Sequence, residues 1–138
     1  MHRSRVLALL IALGLSAAAP AATSGGKYKG KIDYQGYDIT FTIKGAKIIG
    51  IEAQMLQDCA GDGMSEVFTI APDAAWTIRN GRFSGKKVQA YDDIEAHVTF
   101  QGTVKGGTVK GFIREWDVID GVGIVCDTLK RTFTAKRR

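Results

Sequence analysis

The segment 94–116 constrains the fold most, because apolar and polar residues alternate along it on both sides of a glycine turn. The first half places an apolar residue or glycine at every second position: Ile94, Ala96, Val98, Phe100, Gly102 and Val104. A period of two is typical of a strand. Lys105-Gly106-Gly107 supplies a turn, and residues 108–116 return with the same period. The pattern predicts a long antiparallel hairpin, in which Gly102 and Gly111 mark a bulge or the close packing of a neighbouring aromatic ring.

Further short runs carry the same period. Residues 37–43 place Ile39, Phe41 and Ile43 on one face, and the turn 44–47 follows. Residues 47–56 are ambiguous, since Ile49, Ile51, Ala53 and Met55 alternate, whereas Ile48, Ile51, Met55, Leu56 and Cys59 fit helical spacing. We interpret this run as a strand, because Gly50 and paired isoleucines suit a pleated surface better than a helix. A last strand is expected over residues 127–135, with Leu129, Phe133 and Ala135 on one face and Arg131 as the odd member.

Together these runs predict an all-β fold, either an antiparallel β-sandwich or a small β-barrel of about eight to ten short strands. The chain has 17 glycines in 138 residues, well above the usual frequency of about 7%. That excess fits strongly coiled strands joined by tight turns. Composition changes little along the chain, so residues 22–138 are expected to form a single domain.

The first 21 residues read as a signal peptide. Basic residues between Met1 and Arg5 precede an apolar run from Val6 to Ala19, and Ala19-Pro20-Ala21 offers a cleavage site. The run is shorter than the about 20 residues that a membrane span needs. We therefore expect a secreted or periplasmic protein that keeps no membrane anchor after processing.

The mature chain is only mildly basic. Removing Arg3 and Arg5 from the 19 Lys and Arg residues leaves 17 against 14 acidic residues, a net charge of +3. Much of the surplus lies at the end of the chain, in Lys130, Arg131, Lys136, Arg137 and Arg138. No aromatic-interleaved basic motif or recognition helix accompanies these charges, so nucleic acid is not expected as a partner.

The two cysteines, Cys59 and Cys126, are expected to form one disulfide. Paired cysteines are usual in exported chains, and no Cys-x-x-Cys motif points to zinc. Closing a loop of 67 residues stabilises a chain by roughly 4 kcal/mol on the entropy model.

Acidic residues flank both cysteines. Asp58 precedes Cys59 and Asp127 follows Cys126, while Asp62 and Asp120 lie in nearby glycine turns. A disulfide brings Asp58 and Asp127 into one neighbourhood, and oxygen ligands on a glycine loop suit Ca²⁺. The four aspartates are therefore a candidate calcium site. The competing interpretation is that each caps the backbone of its own turn, with no cofactor bound.

Aromatic residues form the candidate ligand surface. Tyr28, Tyr34 and Tyr37 crowd one early hairpin, with a two-residue turn expected at Gln35-Gly36. Trp76, Tyr91 and Trp116 lie near other strand ends. Flat rings stack on sugars or anchor proteins, so the expected partner is an extracytoplasmic protein or polysaccharide. Cross-strand packing of the rings within the sheet is the competing interpretation.

Catalytic motifs are scarce. His97 is the one histidine after residue 21, and we expect it to be a solvent-facing strand residue. Paired carboxylates among Asp93, Glu95, Glu115 and Asp117 could serve a small glycosidase-like hydrolase. We expect a non-catalytic binding module of unknown ligand, with that hydrolase as the alternative.

Three short motifs resemble a group of small secreted bacterial β-sandwich proteins of unknown function. They are Tyr28-Lys-Gly-Lys31 followed by Gln35-Gly36 and Ile39-Thr-Phe41, then residues 78–84, and finally Cys126-Asp-Thr with residues 133–137. In that group tryptophan is more frequent where this chain has Phe133, and glycine is common where it has Leu129. The resemblance implies an exported β-sandwich with one disulfide, and it assigns no catalytic residue.

Overall fold

A computed structural model describes residues 25–61 and 63–138, and the regular structure in these residues consists of strands only. The predicted all-β antiparallel fold is confirmed, with the described strands joined in one sheet. No helix within the described ranges is long and apolar enough to cross a bilayer. The predicted signal peptide, residues 1–21, lies outside these ranges. The strands are β1 (Gly26–Ile32), β2 (Asp38–Lys44), β3 (Lys47–Cys59), β4 (Gly63–Thr77), β5 (Arg82–Tyr91), β6 (Ile94–Lys105), β7 (Thr108–Ile119), β8 (Gly123–Asp127) and β9 (Arg131–Arg137).

The sheet runs in the order β4-β3-β2-β1-β9-β7-β6-β5, and β8 lies off this path. β2 pairs with the first part of β3, whereas β8 pairs with its last two residues, Asp58 and Cys59. Likewise, β9 pairs with the first half of β7 and β8 with the second half. Three strands therefore separate β3 from β7 at one end of the sheet, and β8 alone separates them at the other.

The core lies on the inner face of this sheet and is centred on Phe100. Its side chain is fully buried and its ring lies 4.8 Å from Phe83, 5.2 Å from Phe133, 5.6 Å from Trp76 and 5.7 Å from Phe41, measured between ring centroids. These rings come from β2, β4, β5, β6 and β9. The apolar positions of distant strands thus meet at one point, which fixes the curvature of the sheet.

A β-bulge resolves the ambiguity in β3. Gly50 has a φ of 61°, and the pairing of β3 with β4 shifts between Ile49 and Ile51. The extra residue turns both Ile48 and Ile51 inward, with Ala53 and Met55 after them. The strand interpretation is confirmed, but the placement of Ile49 on the inner face is wrong. The apparent helical spacing arises because the bulge places Ile48 and Ile51, three residues apart, on the same face.

The predicted hairpin at residues 105–108 is confirmed, with Lys105 opposite Thr108. Within it, Gly102 lies opposite Gly111. A methyl group on Gly102 would come within 2.8 Å of Phe83 Cζ and would also clash with the Lys110 carbonyl. The glycine therefore makes room for a neighbouring aromatic, one of the roles that the sequence indicates.

The last strand is shorter than expected. β9 begins at Arg131, and its Phe133 and Ala135 are buried as predicted. Leu129 does not join them: it has a φ of 58°, and 57% of its surface is exposed. The inward placement of Leu129 is wrong, because a left-handed residue turns the chain between β8 and β9.

Candidate functional site

The outer face of β5, β6 and β7 carries a group of cations around two aromatic rings. Cross-strand partners share a face, and Lys86, Thr99 and Arg114 form one such row. Val109 and Ile113 point into the core, so the alternate residues of β7 point outward. We call Lys86, Lys110, Arg114 and Lys130, with Phe112 and Trp116, the basic face.

Three of the four cations of the basic face pack on its rings. The Arg114 guanidinium lies 4.7 Å from the centre of the Trp116 ring, and Lys86 Nζ lies 5.9 Å from it. Lys130 Nζ lies 4.7 Å from the centre of Phe112. Cation–π contacts hold flexible basic side chains near fixed positions. The positive charges are therefore arranged before any ligand arrives.

Arg114 is fixed further by Asp127 on β8. Its Nε donates to Oδ1 at 3.0 Å, and its Nη2 donates to Oδ2 at 2.6 Å, which is a bidentate pair. These hydrogen bonds lower the pKa of Asp127 and raise that of Arg114. Oδ1 of Asp127 also accepts from the backbone N–H of Leu129 at 2.7 Å. One carboxylate thus positions the guanidinium and caps the following turn.

His97 borders the basic face. Its ring stacks on Trp116 with a centroid distance of 5.2 Å, and its Nε2 lies 3.2 Å from Glu95 Oε2. Only 14% of the side chain is exposed, so the expectation of a solvent-facing residue is wrong. The neighbouring tryptophan covers the imidazole, while Nδ1 is buried and has no hydrogen-bond partner among the described residues.

The structure describes three of the four predicted calcium ligands, Asp58, Asp120 and Asp127. Asp58 and Asp127 are cross-strand partners, as the disulfide leads one to expect. However, Asp127 is already bound by Arg114. Asp120 lies in the turn between β7 and β8, and Asp62 lies outside the described ranges. Among the described residues, no group of three or more His, Cys, Asp and Glu side chains is placed to hold a metal ion. For Asp127 the competing interpretation, capping of a turn, is the observed role.

The three tyrosines occupy different environments. Tyr28 is 1% exposed and stacks on Phe41 at 5.4 Å, so its assignment to a ligand surface is wrong. Tyr37 packs partly buried against the core. Tyr34 is fully exposed at a φ of 67°. The expected two-residue turn is also wrong: the loop spans residues 33–37 and is closed by the Ile32 N–H, which donates to the Tyr37 carbonyl at 2.8 Å.

The four candidate catalytic carboxylates are divided between two faces and a turn. Glu95 lies on the outer face beside His97, and Asp93 lies in the turn between β5 and β6. Glu115 and Asp117 alternate on β7 and share the inner face, opposite Val98 and Ala96. Glu115 is buried. Burial also raises the pKa of Asp117, and the smaller electrostatic effect of His97 lowers it. The inner face therefore holds one pair of acids near the disulfide end.

Comparison of the chain with protein-family models, with curated proteins and with solved structures finds no match.

Sequence reasoning missed Lys86, Lys110 and Arg114. The signal is nevertheless in β7, where Lys110, Phe112, Arg114 and Trp116 alternate with the apolar positions of a strand. A charged strand face usually indicates nothing more than solvent exposure. The contribution of Lys86 and Lys130 follows only from strand order, which brings β5 and the chain after β8 beside β7.

Proposed function

We propose that the protein is an exported binding module whose basic face binds an acidic macromolecule outside the cytoplasm. The observation that carries this proposal is the set of three cations, Lys86, Arg114 and Lys130, packed on Trp116 and Phe112, with Lys110 exposed on the same face. A surface whose charges are already ordered loses little conformational entropy on binding. Asp127 offsets only part of the charge, because it pairs with Arg114 alone of the four.

A neutral sugar is a poorer ligand for this surface. Sugar stacking requires an open aromatic face, and the Trp116 ring already has His97, Arg114 and Lys86 as neighbours. Carboxylate or sulfate groups on a polymer would instead meet the exposed ammonium groups of Lys86 and Lys110. The disulfide agrees with an oxidising location, and export depends on the predicted signal peptide.

The test is binding of the mature protein to immobilised polyglutamate and polygalacturonate, with neutral dextran as the reference polymer. We expect retention on both acidic polymers, weakened by salt because the charges are exposed. Lys86→Glu with Lys110→Glu should abolish it. The matched control, Lys44→Glu with Lys47→Glu, changes the charge equally at two other exposed lysines, on the turn between β2 and β3. Equal losses in both variants, or equal retention on dextran, would contradict the proposal.

Hydrolysis by paired carboxylates is the second candidate function. It is favoured by the position of Asp117, which burial makes a weaker acid, two residues from the buried Glu115 on one face. A general acid needs a raised pKa of this kind. Release of reducing ends from polysaccharides by the wild type, lost in Glu115→Gln and in Asp117→Asn, would establish this activity. Equal release by the wild type and both variants would exclude these two residues.

A further inference from the structure

The two strands at the ends of the sheet border a groove. β4 and β5 meet at the tight turn that pairs Arg79 with Arg82. In the described pairings β4 joins only β3, and β5 joins only β6. Between them lies a groove of about 630 Å³, lined on one side by residues 75–77 and on the other by residues 82–85 and Lys87. The gap between β4 and β5, where the two strands are not paired with each other, therefore contains a cavity.

An edge strand carries backbone groups that its one neighbour does not use. In an antiparallel ladder, alternate residues of β5 point their N–H and C=O groups away from β6. A hydrogen bond joins the two edges: the Trp76 indole N–H on β4 donates to the Gly85 carbonyl on β5 at 3.0 Å. At Gly85 a side-chain donor thus takes the place of a ladder bond.

The side chains that line the groove favour a negatively charged ligand. Arg79, Arg82 and Lys87 stand on it, together with the polar side chains of Ser84, Gln101 and Thr103, and no acidic residue is among its described lining. Trp76 and Phe83 are buried beneath it, with 1% and 3% exposure. A second copy of this chain would bring the same cations and be repelled. An acidic segment in extended conformation complements both the charges and the backbone edge.

We propose that this groove binds an extended acidic segment of another protein, which adds to the edge of β5 as a further strand. The partner's backbone would supply the missing ladder bonds, and carboxylates on both of its faces would meet Arg82 and Lys87, which lie on opposite faces of β5. This mode of recognition gains affinity from the main chain and selectivity from alternate side chains. The inference goes beyond the proposed function, because the groove is a second site for an acidic ligand and shares no residue with the basic face.

The experiment uses the mature protein and a fluorescent peptide of about eight residues, a usual strand length, in which Thr-Thr and Glu-Glu pairs alternate so that both faces carry carboxylates. Binding is followed by fluorescence anisotropy. Two further peptides carry N-methyl groups on the odd or on the even residues, which removes backbone donors without changing charge. Losing one or two backbone hydrogen bonds should weaken at least one methylated peptide about tenfold. Equal binding of all three peptides would overturn the inference.

Variants separate the groove from the basic face. Arg82→Glu with Lys87→Glu should weaken peptide binding about tenfold or more, whereas Lys110→Glu with Lys130→Glu, at two cations of the basic face that lie off β5, should change it much less. Circular dichroism melts confirm that both variants fold. If polymers bind but methylation and the groove variant have no effect, the inference fails and the proposed function stands. If the peptide binds as expected but no acidic polymer binds to the basic face, the proposed function fails and the groove stands.

Discussion

Cys59 and Cys126 are direct cross-strand partners on β3 and β8, and their disulfide lies where β8 joins the two flanks of the sheet. The predicted bridge is thereby confirmed. Asp58 and Asp127, the neighbours of the two cysteines, pair next to it. In the described part of the chain, β8 is held against this end of β3 by the covalent bond, by these two residue pairs and by the Ala60 N–H, which donates to the Val125 carbonyl at 2.8 Å.

Replacing both cysteines by serine should destabilise the protein by about 2–5 kcal/mol, because the open chain regains the freedom of a loop of 67 residues. Urea unfolding of the mature protein and of Cys59→Ser with Cys126→Ser measures the difference. Thiol titration of the denatured, unreduced wild type should find no free thiol. Two titratable thiols would show that the bridge does not form.

Leu129→Gly should stabilise the protein by about 0.5–1 kcal/mol. Leu129 has a φ of 58° and is largely exposed, so glycine removes a steric penalty without opening a cavity. Leu129→Ala is the matched control, since alanine keeps the Cβ and should leave the free energy of unfolding nearly unchanged. A stability of Leu129→Gly at or below that of the wild type would contradict this account of the turn.

Gly102→Ala should cost about 1–3 kcal/mol, since the new methyl group overlaps Phe83 and the backbone of β7. Gly107→Ala is the control from the same hairpin: its methyl group would meet its nearest neighbour, Arg137 Cβ, at 3.6 Å, an ordinary contact. Thermal melts of the two variants compare them directly. Similar melting temperatures would show that the interior of the hairpin is not tightly packed.

The Arg114–Asp127 pair should make the free energy of unfolding fall at acidic pH. A lowered pKa means that Asp127 stabilises the fold above its unfolded value of about 3.9, and that this contribution is lost as pH falls through the folded value. In Arg114→Met, the pKa of Asp127 measured by NMR should rise. The pKa of Asp38, lowered to about 2 by Lys31 and Lys29, should not move. A rise at both sites would indicate a general loss of charge rather than a broken pair.

Asp117 should have the opposite effect on stability. Burial raises its pKa in the fold, so its contribution to stability falls as pH rises from the unfolded value of about 3.9 through the folded value. Asp117→Asn should therefore be more stable than the wild type at pH 7, with the difference shrinking below about pH 3 where the carboxyl is protonated in both states. Urea unfolding of the two proteins at pH 7 and at pH 3 measures the difference, and equal stabilities at pH 7 would contradict this account of Asp117.

Period-two alternation was sufficient to predict the strand class and the central hairpin, because inward and outward positions of β6 and β7 follow directly from it. It could not place Ile49, since the bulge at Gly50 reverses which residues of β3 face inward. The bulge itself depends on the pairing of β3 with β2 and β4. Nor could it place Leu129, whose conformation is set by the hydrogen bond from its N–H to Asp127.

The candidate site was less predictable, because it depends on strand order. Tyr28 reads like Tyr34 in the sequence, yet its partner Phe41 buries it. Asp127 reads as a metal ligand beside a cysteine, yet β7 brings Arg114 to its carboxylate. Each difference arises from a contact between residues at least 13 positions apart, which no local pattern encodes.

Strands β1 and β9, the first and last in the described chain, are neighbours in the sheet, and the Arg138 N–H donates to the Lys27 carbonyl at 3.0 Å. The fold is in this sense circular. A short glycine linker from Arg138 to Gly25 could close it, and the turn at residues 92–93, at the opposite end of the sheet, could serve as a new pair of termini. Such a circular permutant would keep every strand pairing and would lose only the covalent turn between β5 and β6. It would also turn β5 into a terminal strand and so allow its edge to be studied by truncation.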